Sequence, residues 1–365
     1  MESDRESDRV RRMRRQVVAS SARTSPSPQK RTAVSTEILP ASLERYLRWF
    51  SRGHVLVLGD LMLDYYIWGT VSRISPEAPV PVVHVERESI QLGGAANVYR
   101  NVLSLGGQAS ICGVIGSDDT GRVLLNALRQ SEKPPRGILV DPTRPTTKKT
   151  RIVAHNQQVV RYDLEQRHDI SAPLTKRILK YVQARLSSIS CIVISDYCKG
   201  VVTPSLMAQL GELVHTRRIP ILVDPKVEHF PCYAGVTIIT PNHLEAQQAS
   251  GRLAFDHEAI HEIGHLLRQK LGCEAVLLTR GEQGISLCES TGESWHIPAM
   301  ARQVYDVTGA GDTLISTLAL ALSAGASIRE SAMLANHAAG VSVGMIGTAA
   351  ITRTQLKEAL RHAGG

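Results

Sequence analysis

An α/β fold, with a mostly parallel central sheet and helices on both of its faces, is what this 365-residue sequence predicts, and three observations predict it. Short apolar runs recur at 55–58, 111–114, 191–194, 219–223, 236–239 and 275–278. Near-continuous apolar runs of this length read as strands buried on both faces. Helix-period stretches at 95–105, 120–130, 174–186, 204–215 and 259–271 separate most of those runs, which is the alternation of a doubly covered parallel sheet. Polar residues follow several runs at once: Asp60, Asp196, Asp224, Asn242 and Thr279. Ligands of such sheets bind beyond the carboxyl ends of the strands, so these residues are expected around one cleft.

The chain opens on a segment that does not fit this plan. Residues 1–40 hold nine basic and five acidic residues, few large apolar ones, and the stretches Arg11-Arg12-Met13-Arg14-Arg15 and Ser25-Pro26-Ser27-Pro28. It cannot bury enough surface to fold alone, so residues 1–42 are expected to be a disordered basic extension and 43–365 the folded domain. Acidic residues at four of the first eight positions argue against a transit peptide. Half of the formal charge of +8 sits in this extension and the body is only mildly basic, which argues against nucleic acid as the partner. No run of about 18 apolar residues is present, so no membrane span is expected. The six cysteines form no Cys-x-x-Cys pair, and reduced thiols in a cytoplasmic protein are the expected state.

Two pairs of segments break the alternation of strand and helix. Residues 65–69 with 80–86, and 147–154 with 159–164, read as extra antiparallel strands within lid regions of about 61–90 and 145–165. Val82, Val83 and Val85 give this small sheet an apolar surface. A peripheral hairpin covering a sheet edge is the plainer alternative.

Chemistry concentrates in Asp306-Val307-Thr308-Gly309-Ala310-Gly311-Asp312-Thr313, followed by the apolar helix-competent run Leu314, Ile315, Leu318, Ala319, Leu320 and Leu322. A Gly-Ala-Gly turn opening a helix leaves backbone N–H groups pointing outward, with the helix dipole behind them, and can receive a phosphate. A carboxylate at Asp312 repels that phosphate unless it acts, and a base taking a proton from a hydroxyl that attacks a γ-phosphate belongs there. The plain alternative is a first-turn acid complementing the dipole. There is no Gly-x-x-x-x-Gly-Lys-Ser/Thr, which excludes a P-loop.

A rival motif is His257-Glu258-Ala259-Ile260-His261, which matches the zinc-protease pattern and is repeated from His261 to His265. At about 100° per residue the three histidines fall on one side of the helix, away from the stripe of Ile260, Ile263, Leu267 and Leu271. A catalytic zinc needs a desolvated cleft, so no zinc chemistry is expected at these histidines.

Several further segments agree in order and spacing: Gly93-Gly94-Ala95-Ala96-Asn97, Thr240-Pro241-Asn242-His243-Leu244-Glu245 and Thr279-Arg280-Gly281-Glu282-Gln283-Gly284. With the Asp306–Asp312 turn they resemble the ribokinase-like (PfkB) sugar kinases. Gly59-Asp60-Leu61-Met62-Leu63-Asp64, Ser72 to Val83, Asn156-Gln157-Gln158, Ser195-Asp196-Tyr197-Cys198-Lys199-Gly200 and Asp224-Pro225-Lys226 look like one subgroup, the D-glycero-β-D-manno-heptose-7-phosphate kinases of lipopolysaccharide core assembly. The resemblance runs from about His54 to the C-terminus and implies a ribokinase-like three-layer sandwich with a small β-sheet lid that closes over the sugar and pairs two subunits. Many relatives continue into a nucleotidyltransferase domain; the end at Gly365 makes a kinase-only form the expectation.

By the same resemblance, ATP and Mg2+ are the expected cofactors. Asp312 would be the base, Gly309, Ala310 and Gly311 would form the anion-hole turn, and the amides of Ala310, Gly311 and Asp312 would stabilise charge on the transferring group. Asn242, Glu245, Thr279, Gly281, Gly284, Asn336 and Lys226 would serve the nucleotide, and Glu245 would hold Mg2+ directly or through water. Asp60, Asp64, Gly93, Gly94, Asn97 and Asp196 would hold the sugar. Lys149 and Arg151, alternating on one side of a lid strand, are candidates for the substrate's own phosphate, with two solvated charges as the plain alternative. Another sugar or nucleoside kinase of this fold, and a non-catalytic binding protein, stay open on the sequence.

Overall fold

The computed structural model describes residues 38–129, 135–155, 157–254, 256–301, 304–345 and 347–363. The expected disordered extension lies, through residue 37, outside the described residues. The folded body starts a few residues before the expected boundary at 43. Helix Pro40–Leu47 buries Leu43 and Leu47, and its Glu44 accepts from Arg361 and pairs with Lys357 on the last helix, Arg353–His362.

In chain order the strands are β1 (His54–Gly59), β2 (Leu61–Ile74), β3 (Pro81–Gly94), β4 (Gln108–Ile115), β5 (Gly137–Val140), β6 (Thr147–Ala154), β7 (Gln157–Leu164), β8 (Cys191–Ser195), β9 (Ile221–Asp224), β10 (Ile238–Ile239), β11 (Ala275–Thr279), β12 (Ile285–Glu289) and β13 (Ser294–Ile297). Nine of them form the central sheet in the order β13-β12-β11-β10-β9-β8-β1-β4-β5. Every pairing from β5 to β11 is parallel, and β12 and β13 join antiparallel at one edge.

Successive residues of β1 go to opposite faces, and both faces are covered. Val55 and Val57 pack with helices Ala95–Ser104, Ala310–Ser323, Ile328–Ser342 and Arg353–His362. Leu56 and Leu58 pack with helices Ala172–Gln183, Pro204–His215 and His257–Leu271. This gives the three layers, and it is why the strands read as continuous apolar runs rather than alternating ones. Among the described residues no helix is long and apolar enough to cross a membrane.

The second sheet has the order β3-β2-β6-β7. Its strands are longer than the sequence suggested: β2 and β3 pair from Leu61↔Gly94 to Ile74↔Pro81, with bulges at Trp68/Gly69 and Val71/Arg73. Both expected hairpins, β2–β3 and β6–β7, are antiparallel, and a parallel pairing that the sequence did not suggest joins them. β2 and β6 run parallel, from Met62↔Thr147 to Gly69↔Ala154, because the chain passes through β4 and β5 before returning. The roots of this sheet, Leu61 and Gly94, adjoin the carboxyl end of β1 and the start of helix Ala95–Ser104. All eight residues of β7 are exposed, including Val159, Val160, Tyr162 and Leu164.

Helix His257–Leu271 buries Ile260, Ile263, Leu267 and Leu271 as expected, but its histidines do not all face solvent. The hairpin β12–β13, which has no signal in the periodicity, packs there. His265 Nε2 lies 2.7 Å from Ser294 Oγ, His257 Nδ1 lies 2.6 Å from an Arg280 nitrogen, and the His261 carbonyl meets Cys288 Sγ. All six cysteines are free, four of them buried.

Candidate active site

The proposed base sits on the first turn of helix Ala310–Ser323. Leu314, Ile315 and Leu318 of that helix are buried in the core and fix its axis. Gly309 precedes it in the left-handed region (φ 81), and a Cβ there would lie 2.9 Å from Asn97 Nδ2, so a side chain would push the turn off its neighbour. The Ala310 amide donates to the Val307 carbonyl at 3.2 Å and is therefore not free for an anion, contrary to expectation. The amides of Gly311 and Asp312 have no acceptor among the described residues, so the anion hole has two donors rather than three.

Asp312 is 3% exposed and held from two sides: Asn97 Nδ2 donates to Oδ2 at 2.7 Å and the Tyr197 hydroxyl to Oδ1 at 3.2 Å. Burial pushes its carboxyl up to about 7 against the two hydrogen bonds, with the Asp64 charge adding to the rise and Arg100 opposing it. A carboxyl poised near neutrality suits general-base work.

On the sugar side the expected residues divide into two groups. Asp64, Gly93, Gly94 and Asn97 line the floor by the base. Asp64 is bound at 2.5 Å by an Arg151 guanidinium nitrogen, and a Cβ on Gly93 would lie 2.3 Å from Asp64 Oδ2, so glycine is what lets β3 pass that carboxylate. Asn97 Oδ1 accepts from Arg100 at 3.0 Å.

Asp60 and Asp196, expected to meet sugar hydroxyls, instead organise the loop after β8. Asp60 accepts from the amides of Tyr197 (2.8 Å), Lys199 (3.0 Å) and Val201 (3.1 Å). Burial and the nearby Asp196 push it up to about 6 in spite of those bonds. Asp196 accepts from the Cys198 amide, His229 Nδ1 and the Tyr233 hydroxyl. Lys149 and Arg151 are not a free basic pair either. Lys149 Nζ binds Asp163 at 2.9 Å and Glu165 at 3.4 Å, while Arg151 is paired with Asp64. Glu165 also takes Lys199 at 2.8 Å.

The nucleotide-side residues gather at the ends of β9, β10 and β11. Asn242 caps helix His243–Ser250: its Oδ1 accepts from the Glu245 amide, and Glu245 Oε2 accepts from the Asn242 amide, a reciprocal capping box. Asn242 also bridges to Thr279. Glu245 Oε1 lies 2.5 Å from Lys226 Nζ. Gly281 opens a 3₁₀ turn after β11 and Gly284 follows it, both with positive φ. Asn336 is buried and donates to the Pro298 carbonyl at 2.7 Å. Beside it, Met300, Tyr305, His337, Gly340, Val341 and Gly344 line part of an open cavity of about 550 Å³. Burial pushes His337 down to about 4, so its ring is neutral, as suits the wall of an uncharged heterocycle site.

Magnesium takes oxygen donors, chiefly carboxylates and water. The Asp224 carboxylate accepts no hydrogen bond among the described residues, its backbone carbonyl taking the Asp196 amide, and burial together with the charges of Asp312, Glu245 and Asp196 raises it well above the ordinary carboxylate range, against Lys226. A hard divalent cation would relieve this crowding, and Asp224 with Glu245 fits it; Glu245 would do so by giving up Lys226 or through a water.

The sequence placed Asp224 at the cleft and Tyr197 in a family motif but gave neither a chemical role, and it did not single out Arg100. The spacing of Arg100, one helical turn after Asn97, was the available signal for one of them. For Tyr197 the motif gave membership but not its contact with the base, which depends on the loop amides that Asp60 holds.

A model described as pfkB family carbohydrate kinase matches residues 52–355. The Bifunctional protein HldE of Geobacter sulfurreducens is 45% identical over 303 residues, covering 83% of this chain and 62% of that protein. That of Citrifermentans bemidjiense is 45% identical over 307 residues, covering 84% and 63%. The chain thus spans less than two thirds of these relatives' length. Among solved structures, phosphofructokinase-2 from Escherichia coli in complex with substrates and products matches with a TM-score of 0.71 at 18% identity, over 86% of this chain and 100% of that one. Arabidopsis thaliana ribokinase complexed with ribose and ATP matches with a TM-score of 0.66 at 18% identity, over 85% and 99%. At that identity the likeness speaks for the fold, which is ribokinase-like. The family match spans the glycine turn with its buried carboxyl as well as both sheets, and on it the chain belongs to the pfkB family of carbohydrate kinases.

Proposed function

We propose that this carbohydrate kinase transfers the γ-phosphate of ATP to the anomeric C1 hydroxyl of D-glycero-D-manno-heptose 7-phosphate, giving the 1,7-bisphosphate used for ADP-heptose and the lipopolysaccharide inner core. The observation that carries the transfer is Asp312: a buried carboxyl poised near pH 7, beside two amides at a helix start that have no acceptor among the described residues. The heptose reading is supported by the segments from Gly59 to Lys226 that resemble heptose-7-phosphate kinases and by the 45% identity to HldE proteins.

Asp312 accepts the proton of the attacking hydroxyl, and Tyr197 and Asn97 keep its lone pair aimed at that hydroxyl. The amides of Gly311 and Asp312 stabilise charge on the phosphoryl oxygens. Asp64 and Asn97 orient the sugar, and Asp60 and Asp196 position the loop that carries Tyr197. Thr279, Gly281, Gly284 and Asn336 shape the base and ribose site, while Asn242 and Lys226 face the phosphates. Magnesium at Asp224 and Glu245 supplies charge neutralisation of the phosphates when bound. Arg151 and Lys149 reach the 7-phosphate by exchanging their carboxylate partners for it. A second copy covers the exposed apolar residues of the lid, giving a homodimer. An ATP-dependent enzyme with six free thiols suits the bacterial cytoplasm.

A coupled ATP-consumption assay across heptose 7-phosphate, unphosphorylated heptose, ribose, fructose 6-phosphate and adenosine tests the substrate. The expected result is a kcat/KM for heptose 7-phosphate at least a hundredfold above the others. Equal or better turnover of another sugar would replace the heptose assignment and leave the kinase.

A further inference from the structure

One cluster beside the cleft contains two groups, Cys198 and His229, that the reaction derived above does not use. Cys198 Sγ lies 3.9 Å from His229 Nδ1 and 3.7 Å from Glu228 Oε2, and His229 Nδ1 lies 2.7 Å from Asp196 Oδ2. The donor atoms of Asp196, Cys198 and His229 are all within 4.8 Å of one another. The Asp196 side chain is fully buried and anchored by the Tyr233 hydroxyl at 2.6 Å, so one donor is fixed in advance. Cys198 also holds a left-handed backbone (φ 53), which L side chains other than Asn and Asp rarely adopt. Glycine would occupy that position without strain, so local geometry does not explain the thiol.

Thiolate, imidazole and carboxylate together form a donor set for borderline-soft ions of the zinc class, whereas magnesium prefers oxygen alone. Tetrahedral zinc, with bonds of about 2.0–2.3 Å, places neighbouring donors roughly 3.3–3.7 Å apart. The Cys198–His229 separation of 3.9 Å and the Cys198–Glu228 separation of 3.7 Å are near that range; the His229–Asp196 contact has to open, and the Glu228 side chain has to turn toward the other two donors.

We propose that Asp196, Cys198 and His229, with Glu228 as fourth ligand, form a binding site for a zinc-class divalent cation. Binding replaces the thiol proton, which passes to the buffer, and ties the loop bearing Tyr197 to the 227–233 turn. The site is separate from the magnesium ligands Asp224 and Glu245.

The test uses the purified full chain stripped of metal, and no sugar, so its failure is distinct from failure of the substrate assignment. Zinc is measured by equilibrium dialysis with metal quantification, and cobalt(II) serves as the optical probe. The expected result is one zinc per chain and, with cobalt, a near-ultraviolet thiolate-to-metal charge-transfer band. Cys198→Gly, which removes the donor while easing the backbone, should abolish the band and weaken zinc binding at least tenfold. His229→Gln should weaken it at least tenfold, and His261→Ala should leave it unchanged. The proposal is overturned if no stoichiometric ion is retained, if Cys198→Gly binds as tightly as the parent, or if His261→Ala is the variant that loses the ion.

Discussion

Asp312 and Tyr197 carry the sharpest consequences at the residue scale. Asp312→Asn keeps the shape and removes the base, so turnover should fall by about two to four orders of magnitude while ATP affinity stays within a few-fold. Because the carboxyl is held near 7, it is mostly protonated below that pH and cannot accept a proton. The expected kcat therefore falls as pH drops through about 7, approaching tenfold per pH unit, and a pH–rate profile at saturating substrates checks it. The Tyr197 hydroxyl donates to the charged form and lowers the carboxyl's pKa, so Tyr197→Phe should move that acidic limb to higher pH. An unmoved limb would detach Tyr197 from the base. Asp312 and Asn97 were legible in the sequence because glycine turns punctuate it next to them. The work of Asp60 was not, since its partners are backbone amides up to 141 positions away that no local pattern reports. Lys149 and Arg151 failed as free cations for a related reason. Alternation tells which face a strand residue takes, and not which carboxylate another strand brings opposite.

Capping is the clearest test among the secondary-structure elements. Asn242 closes helix His243–Ser250 through the reciprocal bonds with Glu245, and Asn242→Ala should cost about 0.5–2 kcal/mol of stability. Asn242→Asp can still accept from the Glu245 amide but brings a negative charge toward the nucleotide's phosphates. It should keep the parent melting temperature and lose ATP affinity; thermal unfolding and nucleotide titration, run on both variants, separate the two roles. The long, strongly patterned elements were readable beforehand, helix Pro204–His215 and strand Thr147–Ala154 to the residue. The edge strands β5, β12 and β13 were not: Ser286 and Glu289 interrupt β12, Ser294 and His296 interrupt β13, and β5 has only three apolar residues after its glycine, so none shows the continuous apolar run that marks the doubly covered strands. Missing β12 and β13 is also what made the histidine face of helix His257–Leu271 look solvated.

For the molecule as a whole, the proposed homodimer is tested on the exposed face of the smaller sheet. Val160 is 46% exposed and Tyr162 50% exposed on strand β7. Replacing both by Lys should convert the expected dimer into a monomer in sedimentation experiments, with an unchanged circular dichroism spectrum. A variant that sediments as the parent does would place the subunit contact elsewhere.

The position of β1 has a consequence for how the enzyme is made. β1 pairs with β4 on one side and β8 on the other, and Asp60 at its end waits for the amides of residues 197–201. At roughly 5–20 residues per second of synthesis, those amides leave the ribosome on the order of ten seconds after Asp60 does. During that interval one edge of an apolar strand is open and the carboxyl beside it has none of its partners, so the nascent chain is most vulnerable to aggregation before the loop of residues 197–201 has been translated.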